Sequence, residues 1–259
     1  MKRLLIVLLA SISITSWAQD RNLYEKRVYV DGSDSLLYRI AYPKDFNPQE
    51  EYPVILFMHG AGERASDNER QLILGGDLFV AEQVREEYPA IVIFPQCPTN
   101  EMWTHRTKSQ REGRSEWIFS FPTHCKPPLS AALVNQLMDE IIAKPYTADN
   151  QIYIMGISMG GIGTLEFLYR WGDKYAAAVV ICGGHDASLA QAYKEIPIWF
   201  FHGEVDDVVP HKYSHEVFEV VKRGNKRTKY KLYPKTNHNS WDQALSEPKL
   251  LKWLFNNKK

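Results

Sequence analysis

Residues 151–168 read QIYIMGISMGGIGTLEFL, an apolar β-branched run that stops at Gly156-Ile157-Ser158-Met159-Gly160 and passes into a pattern with helical spacing. The first half has the composition of a buried central strand. The second carries Ile162, Leu165, Phe167 and Leu168 at near-helical intervals. A serine at such a corner is held in a sparsely populated backbone conformation, with Gly156, Gly160 and Gly161 keeping side chains out of the crowded turn. Its hydroxyl is pushed into the open. The N–H of Met159, first in the helix, has no intrahelical acceptor and is available to a developing oxyanion. The chemistry that follows is nucleophilic attack on a carbonyl by Ser158. A Gly-x-Ser-x-Gly turn also occurs in phosphate loops and in ordinary tight turns, so the partners of the serine decide between these readings.

A serine hydroxyl needs a base to take its proton, and the base needs an orienting carboxylate. Both follow downstream, each just past a strand-like run. Residues 198–201 lead into His202-Gly203-Glu204-Val205-Asp206-Asp207, and residues 229–233 lead into Thr236-Asn237-His238-Asn239-Ser240-Trp241. Spacing alone leaves Asp206 and Asp207 equal as the acid. His238 competes with seven other histidines. His59 and His202 end strands and read as hydrogen-bonding parts of the frame; His211 and His215 fall on an exposed helix, and His105 and His124 in a long insert. His185, on the turn Cys182-Gly183-Gly184-His185, is the rival base.

The elements that must position these residues are an alternation of strands and helices. Residues 23–30 and 35–42 read as two strands joined by Asp31-Gly32-Ser33-Asp34, a hairpin signal and so an antiparallel edge. Strands then follow at 53–58, 90–94, 151–157, 176–182, 198–201 and 229–233. A helix-prone stretch runs to Tyr88, and helices are expected at 129–143, 159–169, 188–195, 212–223 and 248–255. This rhythm predicts an α/β fold, a mostly parallel sheet with helices on both faces. Residues 99–128 break it. They lack clean periodicity and set Trp103, Trp117, Phe119 and Phe121 beside Arg106, Lys108, Arg111 and Arg114. A segment this long with four large aromatics reads as a cap over the site.

The chain of 259 residues opens with Lys2 and Arg3, an apolar stretch too short to span a bilayer, and Ser16-Trp17-Ala18. Residues 1–18 therefore read as a signal peptide and 19–259 as a single domain, in a periplasmic or secreted protein without a membrane anchor. Lys and Arg number 31 and so do Asp and Glu, a balance that calls for no nucleic acid. Cys97, Cys125 and Cys182 match no zinc spacing, and no metal or other cofactor is implied. Cys97 and Cys125 bracket most of the insert, either as a disulfide or as two free thiols. The oligomeric state is not indicated.

His59-Gly60-Ala61-Gly62-Glu63-Arg64, Pro95-Gln96-Cys97-Pro98, the Ser158 turn, the segment from His202-Gly203 to Pro210, and His238 with Trp241 together resemble the α/β-hydrolase superfamily. In particular they resemble its secreted esterases similar to polyhydroxybutyrate depolymerases, dienelactone hydrolases and feruloyl or acetyl-xylan esterases. The resemblance implies the α/β-hydrolase fold with a cap-like insert, Ser158 as nucleophile, Asp206 as acid and His238 as base. It also implies an oxyanion hole from the amides of Ala61 and Met159, and hydrolysis of a small-molecule or oligosaccharide ester without a cofactor. Trp103, Trp117, Arg106, Arg111, Arg114 and Trp241 are the expected substrate contacts. The alternatives are a peptidase or lipase-like hydrolase of the same fold, or a non-catalytic carbohydrate-binding relative.

Overall fold

A computed structural model describes residues 21–110, 117–122 and 124–259; the leader at 1–18, Arg111 and Arg114 lie outside them. Ten strands are present among the described residues: β1 Glu25–Asp31, β2 Asp34–Ala41, β3 Tyr52–Met58, β4 Ile91–Pro95, β5 Thr107–Gln110, β6 Trp117–Ser120, β7 Thr147–Ile157, β8 Ala177–Ile181, β9 Ile198–Gly203 and β10 Lys229–Tyr233. Eight form one sheet in the order β1-β2-β4-β3-β7-β8-β9-β10. The β1-β2 and β2-β4 pairs are antiparallel and the remaining pairs parallel, so the hairpin signal does mark an antiparallel edge.

The side chains of the central strands alternate between two buried faces. Val54, Leu56 and Met58 belong to one core, together with α3 (Leu129–Ile142), α4 (Met159–Trp171) and α5 (Lys212–Gly224). Ile55 and Phe57 belong to the other, with α1 (Gly76–Val80), α6 (Trp241–Leu245) and α7 (Leu250–Phe255). The short α2 (Glu82–Glu87) joins this second layer through Val84. A strand covered on both sides has no polar face, which is why β3, β4, β8 and β9 read as unbroken apolar runs. The expected helix at 188–195 is instead a 3-10 helix, Ala187–Tyr193.

The insert carries the clearest corrections. It contains a two-stranded antiparallel hairpin, β5 with β6, that the sequence pattern did not announce. Trp103 is fully buried, so it does not line the mouth of a pocket. Its indole N–H donates to the His59 carbonyl at 3.0 Å, and its ring packs edge-on to the His59 ring and against Gly163 of α4. Trp103 therefore fastens the insert to the body of the domain. Cys97 and Cys125 are free thiols, the first buried and the second exposed.

Trp103→Ala should cost about 3–5 kcal/mol of stability, the range for deleting a large buried aromatic, with the lost indole hydrogen bond included. Urea unfolding of the variant measures this, and a midpoint unchanged from the native protein would contradict a core role.

Candidate active site

Every expected triad residue lies just past the C-terminal end of a parallel strand, the side on which open α/β sheets place their ligands. Ser158 follows β7 with φ 54° and ψ −114°, a left-handed conformation rare for a residue with a Cβ. The corner is fixed by backbone crowding. A Cβ on Gly156 would meet the Gly160 carbonyl oxygen at 2.1 Å, and one on Gly160 would meet the Met58 carbonyl oxygen at 1.9 Å. No side chain fits at either position, and α4 starts directly against the end of β3.

Ser158 Oγ lies 2.8 Å from His238 Nε2, and His238 Nδ1 lies 2.8 Å from Asp206 Oδ2. Since the Asp206 carboxylate only accepts, His238 Nδ1 carries the hydrogen and Nε2 is left to accept from the serine. Asp206 is the residue in line; Asp207 is exposed, and its backbone N–H donates to Asn237 Oδ1. His185 is no rival as base, because its Nε2 is engaged 2.9 Å from Glu166 Oε2 and its ring stacks on Phe121.

The Asp206 carboxylate is fully buried, so its charge has to be met by donors from several directions. Oδ1 accepts the N–H groups of Val208 and Val209 at 3.0 and 2.9 Å. Oδ2 accepts from His238, and His202 Nε2 stands 3.1 Å from the same oxygen and 2.9 Å from the Val209 carbonyl, sharing its hydrogen between them. Burial acts to raise the pKa of this carboxyl, but the hydrogen bonds from His202, His238 and Val209 outweigh it and hold Asp206 well below the usual carboxylate range. His202 is in turn fixed by Ser214, with its Nδ1 2.7 Å from Ser214 Oγ, which is 3.0 Å from the Tyr230 hydroxyl. The sequence places His202 in the frame; its bond to the acid is visible only in three dimensions, four residues along a tight turn.

The oxyanion loop is built from the same strand ends. His59 is fully buried, which lowers its pKa to about 4, and the neutral ring donates from Nδ1 to the Gly60 carbonyl while Nε2 accepts the Cys97 N–H at 3.0 Å. Ala61 begins the short 3-10 turn Ala61–Glu63, and Met159 begins α4. Neither N–H is taken by another group among the described residues. A Cβ built on Gly60 would lie 3.7 Å from the Ser158 Cβ, so the loop passes directly beside the serine. Arg64 locks it to the root of the insert, donating from Nε to the Ala61 carbonyl and from Nη1 to the carbonyls of Thr99 and Glu101, each at 3.1 Å.

Of the expected substrate contacts, Trp241 is partly buried and presents its ring edge-on to His238 at 5.6 Å between centroids. Arg106 is partly buried, with its guanidinium 5.2 Å from the Phe119 ring centre. Phe119 and Phe121 of the insert cluster with Ile162, whose N–H bonds the Ser158 carbonyl, and with Val209 beside the acid loop. The insert thus reaches both the nucleophile turn and the acid turn. Trp117 lies on β6, and Arg111 and Arg114 fall outside the described residues. A cavity of about 530 Å³ sits among Tyr169, Asp173, Ile196 and Arg227. It opens at the N-terminal ends of β8 and β9 and contains none of the three residues in line, so it belongs to the opposite end of the sheet. No group of residues suited to a metal ion occurs among the described residues.

The profile of the phospholipase/carboxylesterase family matches residues 127–250, the segment holding Ser158, Asp206 and His238. A bifunctional acetylxylan esterase/xylanase of Neocallimastix patriciarum is 32% identical over 77 residues, covering 29% of this chain and 11% of that protein. The crystal structure of a thermostable esterase superposes with a TM-score of 0.80 at 30% identity, covering 92% of this chain and 64% of the other. A feruloyl esterase module of Clostridium thermocellum, complexed with sinapinate, superposes with a TM-score of 0.61 at 14% identity over 90% of this chain and 88% of its own, a likeness of fold alone. The chain spans about a tenth of the curated relative and under two thirds of the thermostable esterase.

Asp206→Asn should reduce turnover of an ester by orders of magnitude, and Asp207→Asn by far less, because only the carboxylate on His238 fixes its tautomer. Equal losses would contradict the geometry. A carboxyl whose folded pKa is depressed contributes stability that is present above the unfolded value of about 3.9 and is lost as pH falls toward the folded one. The stability difference between the native protein and Asp206→Asn should therefore narrow below about pH 4, as read by urea unfolding across pH.

Proposed function

We propose that this chain, which has the α/β-hydrolase fold, is a secreted serine carboxylesterase acting on acyl groups carried by carbohydrate, acetyl or feruloyl esters being the class. The observation that carries the reading is the continuous line from Ser158 Oγ through His238 to the buried Asp206. In the reaction, Ser158 Oγ attacks the ester carbonyl as His238 Nε2 takes its proton. The amides of Ala61 and Met159 receive the oxyanion. Collapse of the tetrahedral adduct breaks the bond to the alcohol, which leaves with the proton from His238. Water then repeats the sequence on the acyl-enzyme, with His238 taking a proton from water and returning it to Ser158. Asp206 stays ionised throughout, holding the imidazole in place and balancing its charge.

Kinship with a thermostable esterase and, over 77 residues, with an acetylxylan esterase/xylanase supports ester chemistry and a carbohydrate-linked substrate. The apolar cluster of Phe119, Phe121, Ile162 and Val209 backs the Ser158 and Asp206 turns, which supports an acyl group held beside them.

Ser158→Ala should abolish covalent labelling by a fluorophosphonate and reduce hydrolysis of p-nitrophenyl acetate by several orders of magnitude. Labelling that persists in the variant would remove Ser158 as nucleophile. A panel of acetylated, feruloylated and long-chain esters then sorts the substrate class, with the long-chain esters expected to be the poorest.

A further inference from the structure

Two guanidinium groups lie at the root of the insert, Arg64 tied to Ala61 and Arg106 on Phe119, and among the described residues no carboxylate answers either. Arg64 spends its hydrogen bonds on three neutral carbonyls, those of Ala61, Thr99 and Glu101. Arg106 lies against the face of Phe119 and forms no ion pair among the described residues. The pair is close enough to be felt electrostatically, for burial first and the charge of Arg64 second both lower the pKa of Arg106. Elsewhere the fold treats buried or half-buried cations differently. Arg39 pairs with Glu69, Arg170 with Glu166 and Lys174 with Asp139.

Holding a partly desolvated guanidinium next to a second cation is costly unless an anion arrives to meet it. Its location says what kind of anion. Arg106 borders a cavity of about 310 Å³ with Asn100, Thr104 and Pro128, at the root of the insert that Arg64 ties to Ala61. Glu101 also borders this cavity, but its carboxylate is held by the N–H of Ser130 at 2.7 Å. On its other side Arg106 rests on Phe119, which packs on Ile162, one helical turn after Ser158.

We propose that Arg106, at the root of the insert and on the face of Phe119, whose cluster reaches the Ser158 and Asp206 turns, forms a carboxylate subsite, so that the preferred substrate is an ester bearing a free carboxylate on its acyl or its alcohol part. This rests on the esterase reading of the same site. The flat fork of Arg106 suits a bidentate carboxylate, and the Phe119 face beneath holds the guanidinium in plane. The carboxylate adds no covalent step; it orients the ester so that its carbonyl meets Ser158.

The test compares two pairs of esters on the full chain. For an acyl-side carboxylate, mono-p-nitrophenyl succinate is set against p-nitrophenyl butyrate. For an alcohol-side carboxylate, acetylated xylo-oligosaccharides with and without a uronic acid branch are compared. The native protein is expected to favour the charged member of one pair, and Arg106→Gln to lower that kcat/KM ratio about tenfold or more, the effect of losing one charge-assisted bond. Arg106→Lys should restore part of the ratio, and raising salt should erode it in the native protein. Binding of D-glucuronate or succinate, followed by calorimetry, reads the subsite without catalysis and should be lost in Arg106→Gln. A ratio that stays within twofold in both pairs, or anion binding that the variant retains, overturns the subsite. Absence of hydrolysis for all four esters would instead overturn the esterase reading, leaving the anion titration to judge Arg106.

Discussion

The first turn of α4 lies against the ends of two strands so closely that backbone touches backbone, and the site takes its geometry from that contact. A Cβ on Gly160 would overlap the Met58 carbonyl, and one on Gly183 would stand 2.5 Å from the carbonyl carbon of Gly161. These approaches bring the exits of β3, β7 and β8 to one point. The loop bearing Ala61 leaves from the first, Ser158 from the second, and the turn bearing His185 from the third. Ser158 accepts a positive φ because the chain has no room to turn otherwise: its N–H is bonded to the Ile181 carbonyl and its carbonyl to the Ile162 N–H, so both ends of the strained residue are held. The strain is therefore offset by strand and helix bonds on either side, and the hydroxyl is left outside both.

Electrostatics complete what the backbone begins. A carboxylate taken out of water at the position of Asp206 is tolerable only if all its lone pairs are met, and four N–H groups do so, two from its own turn and two from histidines. His202 Nε2 stands between Oδ2 at 3.1 Å and the Val209 carbonyl at 2.9 Å, so it ties the carboxylate to the turn that holds it. Ser214 and Tyr230, on α5 and β10, then extend the fixed network into the body of the domain. Asp206 and His238 are in this way tied to the scaffold.

Much of this was legible in the sequence because the chemistry depends on chain order. A strand, then a Gly-x-Ser-x-Gly turn, then Asp and His each one or two turns past later strands is a one-dimensional pattern, and the parallel sheet brings those ends together without further information. Asp206 and Asp207 differ by one step in sequence and could be separated from residues alone only by resemblance; in space one side chain is buried among donors and the other faces water. The insert was harder to read. β5, Thr-Lys-Ser-Gln, has no apolar alternation because it pairs only with β6 and packs lightly, so no periodicity marks it. Trp103 was misplaced for a related reason. A tryptophan among arginines reads as a contact for a ligand, but its indole N–H finds the His59 carbonyl, and an aromatic whose one polar atom is satisfied internally belongs in a core. The short α6 carries too few turns for a helical period to show.

How the insert is fastened bears on how the pocket selects. At its start, Trp103 is sunk against Gly163 and Arg64 binds the carbonyls of Thr99 and Glu101. Toward its end, Phe121 stacks on His185, the Phe119 N–H donates to the Tyr213 hydroxyl at 2.9 Å, and Arg170 Nη2 donates to the Cys125 carbonyl at 3.1 Å. Arg170 also pairs with Glu166, whose other oxygen meets His185, so a buried charge cluster on α4 anchors this end. Both ends of the insert are thus bound to α4 or to the loop bearing Ala61, the two elements that adjoin Ser158. A wall so placed has its described ends anchored to the elements that carry Ser158 and Ala61, so the side chains it presents, Arg106 among them, are positioned by the same scaffold. On the reading of an esterase, contacts preorganised in this way would leave little of the binding energy to be spent on ordering the wall.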